Sequence, residues 1–552
     1  MKKNLFCYLV IFLFSFSYFC FFENNTYLVA DDTIFHTSNI LVMAEDISFS
    51  NLVPGKIMPN LVNNLGYGIN LFYPIFPHLV GAYVLKIFSL FDVGIAGAMK
   101  FIHFMVIFLS GTFMYKYIMT AFKNRKQALL TAILYQSTPY LFTDVFMRGA
   151  FNESFVFIYL PIIFLGIYYL FEGKDIKKFY IYFVIGYSLL IYTHLVLAIY
   201  LTLILIPFLL VYYRKIFDIK VLKDLIAGSV LVLLITSNFW APLMQHHLLN
   251  IYYIFKLRYV DTLAVEVPSI LYYFFPIRFA DVRPHYFLLF YISPICMLLM
   301  VCNYLMVFKK KKEKKDGRLL KGMLLVLIVS VVLASMSFVW FLMPNLLKNI
   351  QFAWRLSLFV AFGAVVIGGY GIRLFSEKIQ KIVIIVVIVL SAIFNCYITS
   401  ELNYVDVNDI LFLKNSCCNL QWSYEYIPLV SKYNSLHLYN KGENLGTNTI
   451  SNIEIIENDV PSMEFKAVDV NEGLVVEFPR IYYLGYELKH EDGDKIKVYQ
   501  NSFGMLEAVI NKDGVYYLDY VGTTVDKITK VLSFMTVLGS IGYLIFRKIK
   551  RK

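Results

Sequence analysis

Residues 73–91 read YPIFPHLVGAYVLKIFSLF, and whether they cross a membrane decides the topology of everything that follows. Pro74, Pro77, His78, Gly81 and Lys86 make this stretch a poor spanning helix. Better apolar runs lie near 4–22, 97–119, 127–143, 153–171, 179–194, 195–213, 224–244, 286–308, 319–342, 355–375, 381–398 and 530–547. Each is long enough to cross about 30 Å of hydrocarbon. With these twelve spans alone, both termini share one side. The basic clusters Lys2-Lys3, Lys123/Arg125/Lys126, Lys174/Lys177/Lys178, Arg214/Lys215/Lys220/Lys223, Lys309–Lys315, Arg373/Lys378/Lys381 and Arg547–Lys552 all fall on that side. If 73–91 crossed too, every later cluster would flip outward. Lysine and arginine gather in cytoplasmic loops, so 73–91 is expected to lie along the outer surface, with both termini cytoplasmic.

Composition agrees with a membrane chain. Of 552 residues, 59% are hydrophobic and 16% charged, and the mean hydropathy is +0.64. Soluble domains run near 45–50% apolar and about 25% charged. A soluble enzyme, a disordered chain and a disulfide scaffold are excluded. The net charge of +12 is unevenly placed. Residues 399–529 hold ten basic and twenty acidic residues, a net of −10, so the remainder carries +22. That pattern belongs to membrane topology, with no nucleic-acid partner. Seven cysteines are too few for a disulfide framework, and only Cys417-Cys418 lie outside apolar runs. The first run follows Met1-Lys2-Lys3 as a signal peptide would, but its length and the lack of an A-x-A site predict a retained span.

This orientation predicts a polytopic α-helical membrane protein in three parts. Residues 1–398 form a transmembrane domain with a first outer loop at 23–96 and a long one at 245–285. Residues 399–529 form an extracytoplasmic β-rich, sandwich-like domain before the last span. Its second half alternates as strands do, from Met463-Glu464-Phe465-Lys466 to Leu474–Phe478, with turns at Asn471-Glu472-Gly473, Asp492-Gly493 and Asp513-Gly514. Residues 530–552 are the final helix and a basic tail.

No P-loop, HExxH, GxSxG or paired CxxC is present. Gly368-Gly369-Tyr370-Gly371 lies inside a span and reads as a helix-packing notch. The distinctive polar residues gather on the outer side. Asp31 and Asp32 follow the first span, and a helix there would put Asp32 and His36 on one face at i, i+4. Such a pair can take a proton from a hydroxyl, hold a divalent cation, or simply supply interfacial polarity. Asp144, Arg148 and Glu153 occupy the next outer loop, where Arg148 and Glu153 can pair with each other. His194 sits at the outer end of a span. Outer loops add His246, His247, Arg258, Arg278, Asp281, Arg283 and His285, then Lys348, Gln351, Trp354 and Arg355. Guanidinium forks match phosphate oxygens, although internal ion pairs account for any single arginine equally well.

These outer residues also carry a resemblance. Asp32-x-x-x-His36, Asn63-x-x-Gly66-Tyr67-Gly68 and Phe72-Tyr73-Pro74-x-x-Pro77 resemble the first loop of a bacterial membrane family named 6-pyruvoyl-tetrahydropterin synthase-related. Arg148-Gly149-Ala150-x-x-Glu153, Pro161 and His194 are similar to its later markers, and Gln351-Phe352-Ala353-Trp354-Arg355 to its QFPWR segment. Tyr482–Tyr486, Asn501-x-x-Gly504 and Tyr520–Thr523 resemble the outer domain of YfhO-type membrane proteins. Ala353 stands where the family has proline, and Asn39 where it has a basic residue.

Both groups look like members of the GT-C superfamily of multispan glycosyltransferases. The resemblance implies sugar transfer from a polyprenyl-phosphate donor to a cell-envelope glycopolymer at the outer face of the bacterial plasma membrane. It implies Asp32, with Asp31 as second choice, as general base, and His36 as its orienting partner or as a further cation ligand. Arg148, Arg278, Arg283 and Arg355 would stabilise the leaving phosphate, Arg355 foremost, with Glu153, His194, Gln351 and Trp354 lining the site. The cofactor expectation is none, or a divalent cation, which Asp31 and Asp32 would hold if one binds. The alternatives are a lipid-linked glycan flippase, which would need charges lining a path through the spans, and a non-catalytic polymer-binding protein.

Overall fold

Pro139 cuts the apolar run near 127–143 into two helices, Arg125–Gln136 and Pro139–Phe142, because its ring lacks the N–H that would continue the first. Similar breaks recur through the computed structural model. It describes residues 2–19, 26–28, 30–59, 62, 64–249, 251–256, 268–275, 291–309, 314–344, 347, 352–402, 404–406, 425–433, 446–447, 452–470 and 473–549. The chain forms two compact units. One comprises residues 1–36, 76–233 and 258–407, and the other comprises 37–75, 234–257 and 408–552.

The first unit is almost wholly helical. Among the described residues of the chain, six helices are long and apolar enough to cross a membrane. Five belong to this unit: Ile95–Phe122, Phe151–Gly173, Asp316–Ser335, Ala353–Leu374 and Glu377–Ser400. Asn4–Tyr18, Leu195–Leu210 and Pro294–Leu305 are apolar but shorter. Among the described residues, continuous long helices account for six of the twelve spans expected from hydropathy. The run near 179–194 is a composite of Ile176–Phe179, a π-helical turn at Tyr180–Val184, and Ile185–Ile191. Residues 73–91 contribute the helix Phe76–Ser89. Its 14 residues rise only about 21 Å, less than the hydrocarbon thickness.

Phe151–Gly173 and Ala353–Leu374 form the centre of this unit, being 94% and 89% buried. Glu377–Ser400 is only 22% buried and turns Ile379, Ile382, Ile385, Val389 and Leu390 outward. Water would not tolerate such a surface, and lipid does. The chain is a multi-pass membrane protein.

Glycines set how closely the central helices approach. A Cβ on Gly369 would strike Thr131 Oγ1, and one on Gly371 would strike the Leu299 carbonyl oxygen. Gly368 faces Cys296, whose carbonyl oxygen and Sγ would each lie 3.1 Å from an added Cβ. The Gly368–Gly371 segment is thus a packing notch between two neighbours, as small residues provide in membrane helices. Just beyond it, Arg373 donates to the Phe122 carbonyl at 2.7 Å, Gln127 Oε1 at 2.7 Å and Asp316 Oδ2 at 3.0 Å. Arg318 makes a two-pronged bond to Glu172 at 2.9 and 3.0 Å. These charged clasps close one end of the unit.

The second unit carries two antiparallel sheets. The strands outside the first unit are β3 (Gly446–Thr447), β4 (Ile453–Glu457), β5 (Met463–Ala467), β6 (Leu474–Ile481), β7 (Tyr486–His490), β8 (Lys495–Ile496), β9 (Val498–Gln500), β10 (Met505–Ile510) and β11 (Gly514–Tyr520). Their spatial orders are β3-β6-β10-β9 and β4-β5-β11-β7-β8. The remaining pair, β1 (Thr26–Leu28) with β2 (Tyr404–Asp406), lies in the first unit. Alternation puts Met463, Phe465 and Ala467 inside, where Phe465 stacks on Tyr516 at 5.1 Å. Arg480 is fully buried yet satisfied by Asn458 Oδ1 and the carbonyls of Pro461, Pro479 and Ser462. Several motif residues prove structural. Gly68 leaves room for the Tyr483 ring, Gly504 turns at φ +81°, and Tyr482 N–H donates to the Gly504 carbonyl at 3.0 Å. This unit also contains the remaining long apolar helix, within Thr524–Ile549.

Overpacking the notch should be felt at once. Gly371→Ala is expected to cost about 1–3 kcal/mol, read as a lower midpoint in thermal unfolding of the detergent-solubilised chain. Gly539→Ala, which meets open space, is expected to leave the midpoint unchanged or raise it.

Candidate functional site

Asp144 and Arg148 share one face because residues Thr143–Met147 wind as a π-helical turn that ends at Arg148. Arg148 Nη1 donates to Asp144 Oδ1 at 2.5 Å. The chain then turns at Gly149, whose φ of +64° is a left-handed conformation that disfavours side chains. A Cβ at that position would lie 2.5 Å from Thr33 Oγ1. Gly149 therefore lets the loop press against the start of the helix Thr33–Asp46. There the Asp32 N–H donates to the Arg148 carbonyl at 2.8 Å.

Glu153, in the first turn of Phe151–Tyr168, is the hub. It accepts from Tyr140 Oη at 2.6 Å and from Arg148 Nη1 at 3.1 Å, and pairs with Arg355 Nε at 3.3 Å. Asp144 and Glu153 are almost sealed from solvent, with 0% and 2% of their surfaces exposed. Arg355 arrives through Phe352, a non-glycine residue with φ of +52°. That turn stacks Phe352 on Trp354 at 5.4 Å and brings the Trp354 ring 4.2 Å from the Arg148 guanidinium. The indole face attracts the cation and holds its plane. Both bonds from Arg148 leave through Nη1, so Nε and Nη2 make no hydrogen bond among the described residues.

Asp32 differs from the other two carboxylates. It is half-buried beside the network, and among the described residues its carboxylate has neither a hydrogen bond nor an ion pair. Loss of water pushes its pKa above the usual carboxylate range, while the Arg148 and Arg355 guanidiniums oppose that rise. Two guanidiniums thus face three carboxylates, and only Asp32 lacks a bonded partner.

The structure brings Asp32, Arg148, Glu153, Trp354 and Arg355 into one neighbourhood. Asp31 is exposed at the adjoining turn. His36 does not bond to Asp32 through its ring: His36 Nδ1 lies 2.8 Å from His78 Nε2, and the two rings stack at 5.0 Å. Burial drives the His36 pKa well below its ordinary value and that of His78 to about 3. The pair is therefore neutral, one ring donating and the other accepting. Phe151 packs against His36, His78 and His103, at 5.8, 6.0 and 5.9 Å. His194 caps the helix Leu195–Leu210, its Nδ1 accepting from Leu197 N–H at 3.3 Å. Among the described residues no three His, Cys, Asp or Glu side chains are placed to hold a metal ion. Arg278, Arg283 and Gln351 lie outside the described residues.

Tyr140 and His78 were not candidates on sequence. Tyr140 sits among many tyrosines in apolar runs, and His78 meets His36 across 42 residues, beyond any periodic signal. The Asp144–Arg148 pair went unread in the sequence, although their spacing of one helical turn is a signal that marks it.

Comparison with solved structures finds distant similarity. The crystal structure of ArnT from Cupriavidus metallidurans bound to undecaprenyl phosphate is similar over 68% of this chain and 61% of that one, at 12% identity and a TM-score of 0.44. The archaeal oligosaccharyltransferase AglB from Archaeoglobus fulgidus, in complex with an inhibitory peptide and a dolichol-phosphate, is similar over 79% of this chain at 13% identity and a TM-score of 0.40. This chain spans 57% of that second chain. No family model matches the chain, and no curated protein does.

The hub makes a clear demand on stability. Glu153→Gln removes the charge that two buried arginines share and is expected to cost about 3–5 kcal/mol. Chemical unfolding in detergent measures it. A loss below about 1 kcal/mol, the range of exposed pairs, contradicts the buried network.

Proposed function

We propose that this chain is a membrane glycosyltransferase of the GT-C type, moving a sugar from a polyprenyl-phosphate carrier to a cell-envelope acceptor. The observation that carries the reading is the unpartnered Asp32 carboxylate beside two guanidiniums that are bonded to other acids. A transferase of this kind needs a base whose lone pairs are free, next to fixed positive charge.

In this reading Asp32 accepts the proton of the acceptor hydroxyl as its oxygen attacks the anomeric carbon. The bond from that carbon to the phosphate oxygen breaks, and the carrier phosphate leaves with the electron pair. Arg148 offers the leaving oxygen its uncommitted Nε–H and Nη2–H groups, with its plane held by Trp354. Arg355, Glu153 and Tyr140 keep Arg148 in place. His36, paired to His78, supports the helix that starts beside Asp32 and takes no proton itself. Arg278, Arg283 and Gln351 remain further candidates for the phosphate. A lipid-bound donor explains why such a site belongs to a multispan chain, since the carrier's tail stays in the bilayer. We place the site and the acidic β-rich segment 399–529 on the outer side of the bacterial plasma membrane, with both termini cytoplasmic. The charge distribution supports that orientation.

Transfer from a labelled lipid-linked sugar in membranes tests the proposal. Asp32→Asn is expected to lower turnover about 10²–10⁴-fold with the unfolding midpoint retained, and Asp31→Asn to lower it far less. Full turnover by Asp32→Asn would sink the base role. Labelled lipid crossing proteoliposomes without a glycosidic product would favour lipid transport instead.

The pH profile gives a second check. A base with a raised pKa is active above that pKa and loses activity as pH falls through it. The acid limb of kcat/KM is therefore expected above the usual carboxylate range. Arg355→Gln removes a charge that favours the carboxylate and should move the limb to still higher pH. No movement between the two profiles contradicts the assignment.

A further inference from the structure

The first outer loop holds a feature that sugar transfer does not use. Residues 47–55 read ISFSNLVPG and contain no charge. Ile47 and Pro54 are buried and root the loop, while Phe49 at its tip is fully exposed. Leu52 and Val53 are 59% and 57% exposed. Polar bonds hold this shape. Ser48 N–H donates to the Asn51 carbonyl at 2.9 Å, and Asn51 N–H donates back to Ser48 at 3.2 Å. Asn51 Nδ2 donates to the Asp46 carbonyl at 3.2 Å, and Gly55 N–H to Asp46 Oδ2 at 3.1 Å. Asn70 Nδ2 clasps the Gly55 carbonyl at 2.7 Å. A loop closed this firmly yet tipped with three large apolar side chains is unlike a turn built for water.

The root of the loop is tied to a membrane helix of the same unit. Lys56 is ion-paired with Asp526, in the first turn of Thr524–Ile549. That helix is apolar enough to cross a membrane, and only 6% of its apolar window is covered by protein. From Lys56 the chain can reach at most about 11 Å to Val53 and about 25 Å to Phe49, and the Gly55–Asp46 bond folds that longer span back toward its root. The tip is therefore held within reach of the interfacial zone of the bilayer that this helix enters.

We propose that the loop of residues 48–53 inserts Phe49, Leu52 and Val53 among the acyl chains of the leaflet at the N-terminal end of Thr524–Ile549. Its occupant is lipid, because the loop carries no charge to meet a headgroup or an acidic partner and is pinned where a lipid-embedded helix begins. It anchors the first outer loop at a fixed height on the bilayer. This inference does not depend on Asp32 being a base.

Tryptophan fluorescence of the full chain in phosphatidylcholine vesicles tests it. Emission added by Phe49→Trp, taken as the difference from the parent protein, is expected to be blue-shifted. It should be shielded from aqueous iodide and reduced by about half or more with lipids brominated near the top of the chains, as for a side chain in the interfacial zone. Leu52→Trp is expected to behave alike, and gives an independent readout if the first variant folds poorly. Emission open to iodide and untouched by brominated lipid puts the tip in water and overturns the proposal. Emission untouched by either quencher means that protein, such as a second copy, covers the tip, and overturns it equally.

Discussion

Two carboxylates can leave water together only in the company of cations, and at this site the company is shared. Glu153 and Asp144 are sealed from solvent, and Arg148 bonds to both. Arg355 and the Tyr140 hydroxyl complete the set. In a low-dielectric interior each missing partner would leave a buried charge uncompensated, so the members hold one another in place. Much of the unusual backbone nearby follows from that constraint. A π-helical turn aims Asp144 and Arg148 at each other, Gly149 lets their loop meet Thr33, and Phe352 adopts a left-handed φ that delivers Trp354 and Arg355. The surplus carboxylate, Asp32, stands at the edge of this framework with its oxygens uncommitted among the described residues.

The same helices that carry the network also separate it from the rest of the unit's charge. Phe151–Gly173 begins beside Glu153 and ends at Glu172, which Arg318 and Lys215 clasp. Ala353–Leu374 begins beside Arg355 and ends at Arg373, bonded to Asp316 and Gln127. Both run the same way, so the carboxylate-rich site and the basic clasps occupy opposite ends, about 30 Å apart over some twenty residues. Charge lies at the two ends with apolar layers between.

Much of the fold was legible because it follows local rules. Alternation marked the strands around Met463–Ala467 and Leu474–Ile481, and Asp492-Gly493 and Asp513-Gly514 marked turns where glycine has positive φ. The glycine run at 368–371 read correctly as a packing notch, since no phosphate loop fits inside a span. Where helices are interrupted was less legible. Hydropathy averages over a window and passes smoothly across Pro139 and the π-helical turn at Tyr180–Val184, whereas the helix does not. The ring partner of His36 was hidden for a related reason. Its spacing suggested Asp32, but its ring meets His78, which a separate helix brings in from elsewhere in the chain.

The amino-acid order by itself determined which runs leave water, where basic clusters accumulate, and that polar residues of catalytic type gather near the ends of apolar runs. Those properties depend on composition and on the repeats of helix and strand, which neighbours in sequence express. Only the tertiary structure decided which carboxylates are neutralised and which one is left over. Ion pairing depends on approaches of a few ångströms between residues as far apart as Glu153 and Arg355. No local periodicity encodes such a distance; the packing of helices sets it.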